Sequence, residues 1–351
     1  EEEIEEEEIV EEDINYDTDV FEFVSFKSNY DLKNVSYITS SVTNMYYTYH
    51  SCGNLISTPP CGNKVTDMTQ AYYLCDVFQG PATCGNNVTK LFATYMNCKN
   101  LTGSPACGDK VTEMGSAYRD CIRLTGSPVC GNNVVNMSCT YYNCRNLSGM
   151  PVCGAKVTNM SNTYENCINL TGSPVCGNKV TNMYGAYRHC TNLTGAPICG
   201  PNVQSMAYAY ENCTKLGPNG YLFGSNVSNV SGCFQNRKLN NMLNLYVPKN
   251  STTLNSCIKA HNATYPSIVN ATITWTNDIA VNGCYYNTQY NIYIYPVDDV
   301  VKQSKIKVEK SITVEEQEEN WRGWALEVDI DWDNEYLEIE TGNNKWYNNK
   351  P

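Results

Sequence analysis

Hydrophobic positions along this chain return at a fixed interval of 23 residues. Leu32, Leu55, Phe78, Leu101, Leu124, Leu147, Leu170, Leu193 and Leu216 make one column. Val42, Val65, Val88, Val111, Val134, Val157, Val180 and Val203 make a second. A third runs Met45, Met68, Leu91, Met114, Met137, Met160, Met183, Met206, and a fourth Tyr49, Tyr72, Tyr95, Tyr118, Tyr141, Tyr164, Tyr187, Tyr210. Cysteines keep the same step at 52, 75, 98, 121, 144, 167, 190 and 213, with a second set nine residues behind each of the first seven. Such a period marks a stack of repeats, each residue about 4.8 Å from its counterpart if the units pair as strands do. A position that is apolar in every copy then forms one continuous buried stripe.

Local patterns inside one period predict its elements. The stretch after each Leu, as in "TGSPV", is too short and too rich in Gly and Pro for a helix and reads as a short strand entering a turn. The glycines after the second cysteine (Gly62, Gly85, Gly108, Gly131, Gly154, Gly177, Gly200) are expected to take a positive φ there. In "VTNMYGAYRHC", Val180, Met183 and Tyr187 stand at i, i+3 and i+7, the spacing of a short helical or 3₁₀ arm packed inward.

After Cys213 the register loosens, and "LNNMLNLYVPKN" reads as a last strand on an atypical capping coil. Past residue 266 the period becomes two, in "YNIYIYPV", "SKIKVEKSITV", "WALEVDIDW" and "YLEIETG". The expected fold is a repeat solenoid, a leucine-rich-repeat-like right-handed stack of about ten coils spanning 29–265. Each coil holds a short parallel strand and a short helical arm. A small antiparallel β module follows over 266–351. Residues 1–28 form an acidic segment ending in "VFEFVSF", a candidate capping strand across the first coil.

The unit "CTNLTGAPICGPNVQSMAYAYEN" resembles the BspA-type (treponemal) leucine-rich repeat, with Cys190, Leu193, Ile198, Val203, Met206, Ala209 and Tyr210 in that family's positions. Two departures stand out. Cys-Gly replaces the family's usual Pro, and Pro197 falls inside the strand, where it removes a ladder donor and shortens the strand. The resemblance covers about residues 29–265. It implies an exposed, non-enzymatic protein. BspA-like proteins are bacterial surface adhesins, and Asn-, Cys- and Tyr-rich versions resemble those encoded by phages of gut bacteria.

Charge changes this picture little. Residues 1–13 hold ten acids and no base, 297–340 hold fourteen acids against five bases, and the solenoid between is mildly basic. The acidic start reads either as a solvated tail or as an attachment segment for a basic partner. Nucleic-acid binding needs a dense Lys/Arg stripe, and membrane insertion a run of roughly 20 apolar residues; neither is present in the sequence.

Nineteen cysteines lack the close pairs a structural zinc site uses, so they read chiefly as free thiols in a repeat core. Cys233, Cys257 and Cys284, outside the columns, are the better disulfide candidates. Free thiols suit assembly in a reducing cytoplasm. The Asn-x-Ser/Thr sequons, such as Asn100-Leu-Thr and Asn169-Leu-Thr, read as structural, their Asn side chains satisfying turn backbone. His50, His189 and His261 sit in unrelated contexts and suggest no catalytic pairing, and no cofactor is expected. Asp329-x-Asp331-x-Asp333-Asn334, with Glu340 twelfth, mimics a calcium-loop spacing on strand-like flanks, where the solvent face of a hairpin explains it equally well.

A stack presents long regular surfaces, and binding is their ordinary use. Specificity must come from positions that vary between coils. Arg119, Tyr142, Glu165 and Arg188, each directly after the Tyr column, change size and charge at every step and are expected to face solvent. Thr102, Thr125, Thr171 and Thr194 form a uniform column suited to a repetitive ligand. Expected partners are protein or glycan on a host surface, or neighbouring structural subunits in an oligomer or larger assembly. The expected location is a virion surface or a cell surface.

Overall fold

The computed structural model describes residues 25–260 apart from positions 37, 39, 59, 223 and 237–241, then residues 291–297 and the backbone of further strands between 266 and 346. Successive 23-residue units lie side by side in parallel register. Asn44, Asp67, Lys90, Glu113, Asn136, Asn159, Asn182, Ser205 and Asn229 bridge one to the next. The Leu, Val, Met, Tyr and first Cys columns face inward and are almost wholly buried. Ten rings stack in a file from Phe26 through the eight tyrosines to Phe234, with centroids 4.9–5.7 Å apart.

The expected helical or 3₁₀ arm is a chain of tight turns, closed by the i→i+3 bonds of a 3₁₀ helix but only at alternate residues. In the unit after Val134, the Thr140, Tyr142 and Cys144 amides close three-residue turns onto the Met137, Cys139 and Tyr141 carbonyls. The alternate amides of Met137, Cys139, Tyr141 and Asn143 donate to the next unit, to the Asn159, Ser161, Thr163 and Glu165 carbonyls at 2.7–2.9 Å. An α-helix would spend every amide inside the arm and leave none for its neighbour. The Met137–Thr140 and Tyr141–Cys144 turns each carry a left-handed third residue, Cys139 (φ 53) and Asn143 (φ 60). Asn tolerates that region well, and it recurs there as Asn97, Asn166 and Asn212. Six arms open on an Asx-type turn, at Asn44, Asp67, Asn136, Asn159, Asn182 and Asn229, as where Asn136 Oδ1 accepts from the Ser138 amide at 2.9 Å.

The strand predicted in "TGSPV" is mostly missing. Among the described residues this stretch gives two isolated bridges, Asn34 to Ser57 and Gly149 to Leu170, and one two-residue strand, β1 (Ile198–Cys199). A buried proline column (Pro105, Pro128, Pro151, Pro174, Pro197) runs through it. The residue after each proline turns both its backbone groups to a tyrosine. Val129 N–H donates to Tyr141 Oη at 3.0 Å, and that hydroxyl donates back to the Val129 carbonyl at 2.7 Å. The pattern recurs at Tyr118, Tyr164, Tyr187 and Tyr210. Tyr141→Phe is therefore expected to cost about 2 kcal/mol, because it orphans a donor and an acceptor at once. An unchanged urea midpoint in this variant would show that water satisfies those groups.

Glycine after the second cysteine serves a purpose other than the expected one. None of these seven appears among the positive-φ residues; the left-handed glycines are Gly103, Gly126, Gly149, Gly172, Gly185 and Gly232. Space is the constraint. A Cβ on Gly154 would stand 2.9 Å from the Gly131 carbonyl oxygen and 3.0 Å from Cys130 Sγ of the preceding unit.

At the far end β1, β2 (Asn219–Leu222) and β3 (Leu243–Pro248) pair in parallel. Helix α1 (Thr252–Ala260) is capped by Ser251, whose Oγ accepts from the Leu254 amide at 3.0 Å. Beyond it come β4 (Pro266–Ser267), β5 (Ile273–Thr276), β6 (Cys284–Asn287) and β7 (Ile292–Val297). β7 adds to β3 in parallel, and β6 then pairs antiparallel to β7, so this sheet runs across the boundary drawn at residue 265. The strands β8 (Ile306–Lys310), β9 (Trp324–Asp331), β10 (Tyr336–Thr341) and β11 (Asn344–Trp346) form an antiparallel sheet with β5. Most of the acidic start and of "VFEFVSF" lies outside the described residues. Phe26, at its end, donates its amide to the Thr48 carbonyl and stacks on Tyr49.

Candidate binding face

The turn arms carry four outward columns per unit, and the residues singled out in the sequence occupy one of them. Arg119, Tyr142, Glu165 and Arg188 follow one another on four successive units. Arg119 places its guanidinium 4.7 Å over the Tyr142 ring and reaches Asp120 Oδ2 at 3.3 Å. Arg188 bridges two carboxylates, Glu165 of the unit before at 3.4 Å and Glu211 of the unit after at 2.6 Å. It also lies 5.5 Å over Tyr208, which meets Tyr184 edge-on at 5.7 Å.

Glu165 departs from expectation, being only 7% exposed, and Glu211 is 6% exposed. Burial raises the Glu165 pKa, with the Arg188 charge opposing that shift and Glu211 adding to it. A carboxylate so placed depends on its cation, so reversing Arg188 would leave three acids in one buried file. That column is therefore partly internal scaffolding, and Arg119 is the arginine that can be changed without breaking the stack. The adjoining column is tied along the stack as well: Asn143 donates to Asp120 at 2.8 Å, and Asn212 meets the His189 ring at 2.8 Å. Burial lowers the His189 pKa, helped by Arg188.

Thr102, Thr125, Thr171 and Thr194 are all exposed, with Ser148 between the second and third. Their column is held to the preceding unit by backbone, as where the Thr125, Thr171 and Thr194 amides donate to Gly103, Gly149 and Gly172 at 3.0 Å. Both columns are thus brought into line, at different places on each unit.

The sequence reading missed the aromatic residues of the arm. Tyr46, Phe92 and Tyr184 are each 40% exposed or more, in a column directly after the buried Met column. The signal was an aromatic residue where most copies have Ser, Thr, Gly or Ala. His50 is held between Tyr47 and Tyr73, with ring centroids 4.9 and 4.8 Å away.

All eighteen described cysteines are thiols rather than disulfides, Cys233 and Cys257 included. The first column has a role that spacing did not reveal, because each buried thiol donates to an aromatic residue's carbonyl in the preceding unit, Phe26 for Cys52 and a tyrosine from Cys75 onward. Cys121, Cys144 and Cys167 do so at 2.9–3.0 Å. Among the described residues no group of three or more His, Cys, Asp or Glu could hold a metal ion. Of the calcium-like pattern, Asp329 and Asp331 lie on β9 and Glu340 on β10; Asp329 is paired with Glu338 and Asp331 with Tyr336 across the hairpin. Asp333 and Asn334 are outside the described residues. No described helix is long and apolar enough to cross a membrane. Comparison with protein-family models, with curated proteins and with solved structures finds no match to this chain.

Proposed function

We propose that this chain is a non-enzymatic, exposed structural or binding protein, built as a leucine-rich-repeat-like solenoid of the BspA kind and carried on a phage virion as a tail, fibre or decoration component. One observation carries the reading: the outward columns run unbroken over eight units, giving a surface whose groups repeat at a fixed spacing. Repeat stacks use such surfaces to bind or to assemble. The thiols, engaged as donors to backbone carbonyls, favour a chain folded in a reducing cytoplasm, where virion parts are made.

A secreted cell-surface adhesin of the BspA type is the second reading, favoured by the exposed aromatic and polar side chains of the arm face. Quantitative mass spectrometry of purified particles and of cell envelopes separates the two. A fixed copy number per particle is the expected result. Recovery from envelopes alone, with none in particles, would transfer the assignment to the adhesin. In either setting Arg119→Glu is expected to weaken attachment while leaving the melting temperature within a few degrees.

A further inference from the structure

We infer that the arm face between Phe92 and Tyr184 binds a neutral, extended polysaccharide lying along the stack; this rests on the reading of that face as a binding surface. Phe92 and Tyr184 occupy the same column four units apart, about 19 Å at strand spacing. Each is 40% exposed. The three units between them carry only Gly115, Ser138 and Ser161 in that column. Phe92 lies along the surface against Gly115, where a Cβ would stand 3.2 Å from its Cδ2. Tyr184 is braced edge-on by Tyr208. The face is thus a run of small, polar positions with a fixed aromatic ring at each end.

Flanking groups suit sugar hydroxyls. On one side stand Glu113 and Asn136, with the Asn136 amide donating to Glu113 Oε2 at 3.2 Å. On the other stand Arg119 and Tyr142, fixed by one another, and Arg188, held in place by the covered Glu165. Planar, pre-oriented donors and acceptors lose little entropy on binding, and aromatic faces take the C–H side of a pyranose. The unit spacing is close to the length of one sugar in an extended β-linked chain, so contacts can repeat from ring to ring.

Two features choose among ligands. Over these units Glu113, Asp120 and Glu165 are matched by Lys90, Arg119 and Arg188, so the face carries no net charge to favour a charged glycan. A protein partner would seek a large apolar anchor site at the centre of the patch, and the centre here is glycine and serine.

The test is calorimetric titration of the full chain with cellohexaose, chitohexaose and the coiled maltohexaose, together with an array of neutral linear glycans. Binding of a β-linked hexasaccharide in preference to maltohexaose is expected. Tyr184→Ala and Ser138→Trp, which remove an end ring and obstruct the middle, should each weaken it roughly tenfold or more. Both sites are exposed or half-buried, and the melting temperature verifies folding. No binding on the array overturns the glycan inference. If particle or cell attachment is nevertheless lost in Ser138→Trp, the partner is a protein and the binding reading of the face survives. Attachment unaffected by either change removes both.

Discussion

Raising the pH beyond about 9 in the presence of reductant is expected to unfold the stack in a single steep transition. Cys75, Cys98, Cys121, Cys144, Cys167 and Cys190 are completely buried, and burial pushes each thiol above its ordinary value of 9.0. For all of these but Cys167, partners along the column add to the shift, since a thiolate beside another thiolate in a dry core is doubly unfavourable. The folded pKa being raised, the stabilisation is complete below the unfolded value and is lost as pH rises above it. The unfolded chain then releases protons that the folded chain retains, so unfolding gains from every further unit of pH. Each thiol contributes about 1.4 kcal/mol per pH unit, and six together roughly 8 kcal/mol. That is comparable to the whole stability of an ordinary domain, about 5–15 kcal/mol. Buried tyrosines raised above their ordinary value of 10.0 steepen the loss further. Near-ultraviolet circular dichroism from pH 7 to 11 measures it. Replacing Cys121 and Cys144 with Ala should lower the pH slope by roughly 3 kcal/mol per unit, since two groups of about 1.4 kcal/mol each are gone. A signal unchanged to pH 11 would mean that the thiols reach solvent.

How much of this was legible in the letters depends on which chemistry each position uses. Inward columns were legible because burial forbids polar variation: the Leu147, Val157, Met160 and Tyr164 columns vary only to other apolar residues, Phe78 and Leu91. Hydrogen bonding was not. The arm spacing of Val180, Met183 and Tyr187 fits a helix and fits a chain of turns equally well. What separates them is the left-handed third residue of each turn, written as Asn166 or Asn212 in some units but as Leu74, Cys139 or Tyr208 in others. Tyrosine read as an apolar column, yet its hydroxyl replaces the strand ladder that the prolines interrupt. Cysteine read as a small hydrophobe, yet its thiol is a donor between units. At the binding face, variability marked Arg119, Tyr142, Glu165 and Arg188 as outward. It could not say that Glu165 would be covered, because that depends on Arg188 one unit away.

The heaviest single substitution expected is Met160→Asp. Met160 is fully buried, between Met137 and Met183 of the adjacent units. Truncating a buried methionine costs about 2–5 kcal/mol through lost contacts and cavity formation, and an unpaired carboxylate in an apolar column adds several more. Volume-conserving exchange is a different matter. Leu91 already stands in this column, so Met160→Leu should cost under about 1.5 kcal/mol. Position along the stack separates this account from a generic core defect. Each unit contacts its neighbours along the file, so a break in the middle uncouples the two halves, whereas a break at Met45 loosens only one end. Met160→Asp should therefore lower the denaturation midpoint sharply and divide hydrogen-exchange protection into two independently opening blocks. Met45→Asp should cost protection only near residues 25–70. A midpoint for Met160→Asp equal to the unaltered chain would mean that the columns do not hold the units together, and equal global losses from both changes would mean that the stack opens as one body.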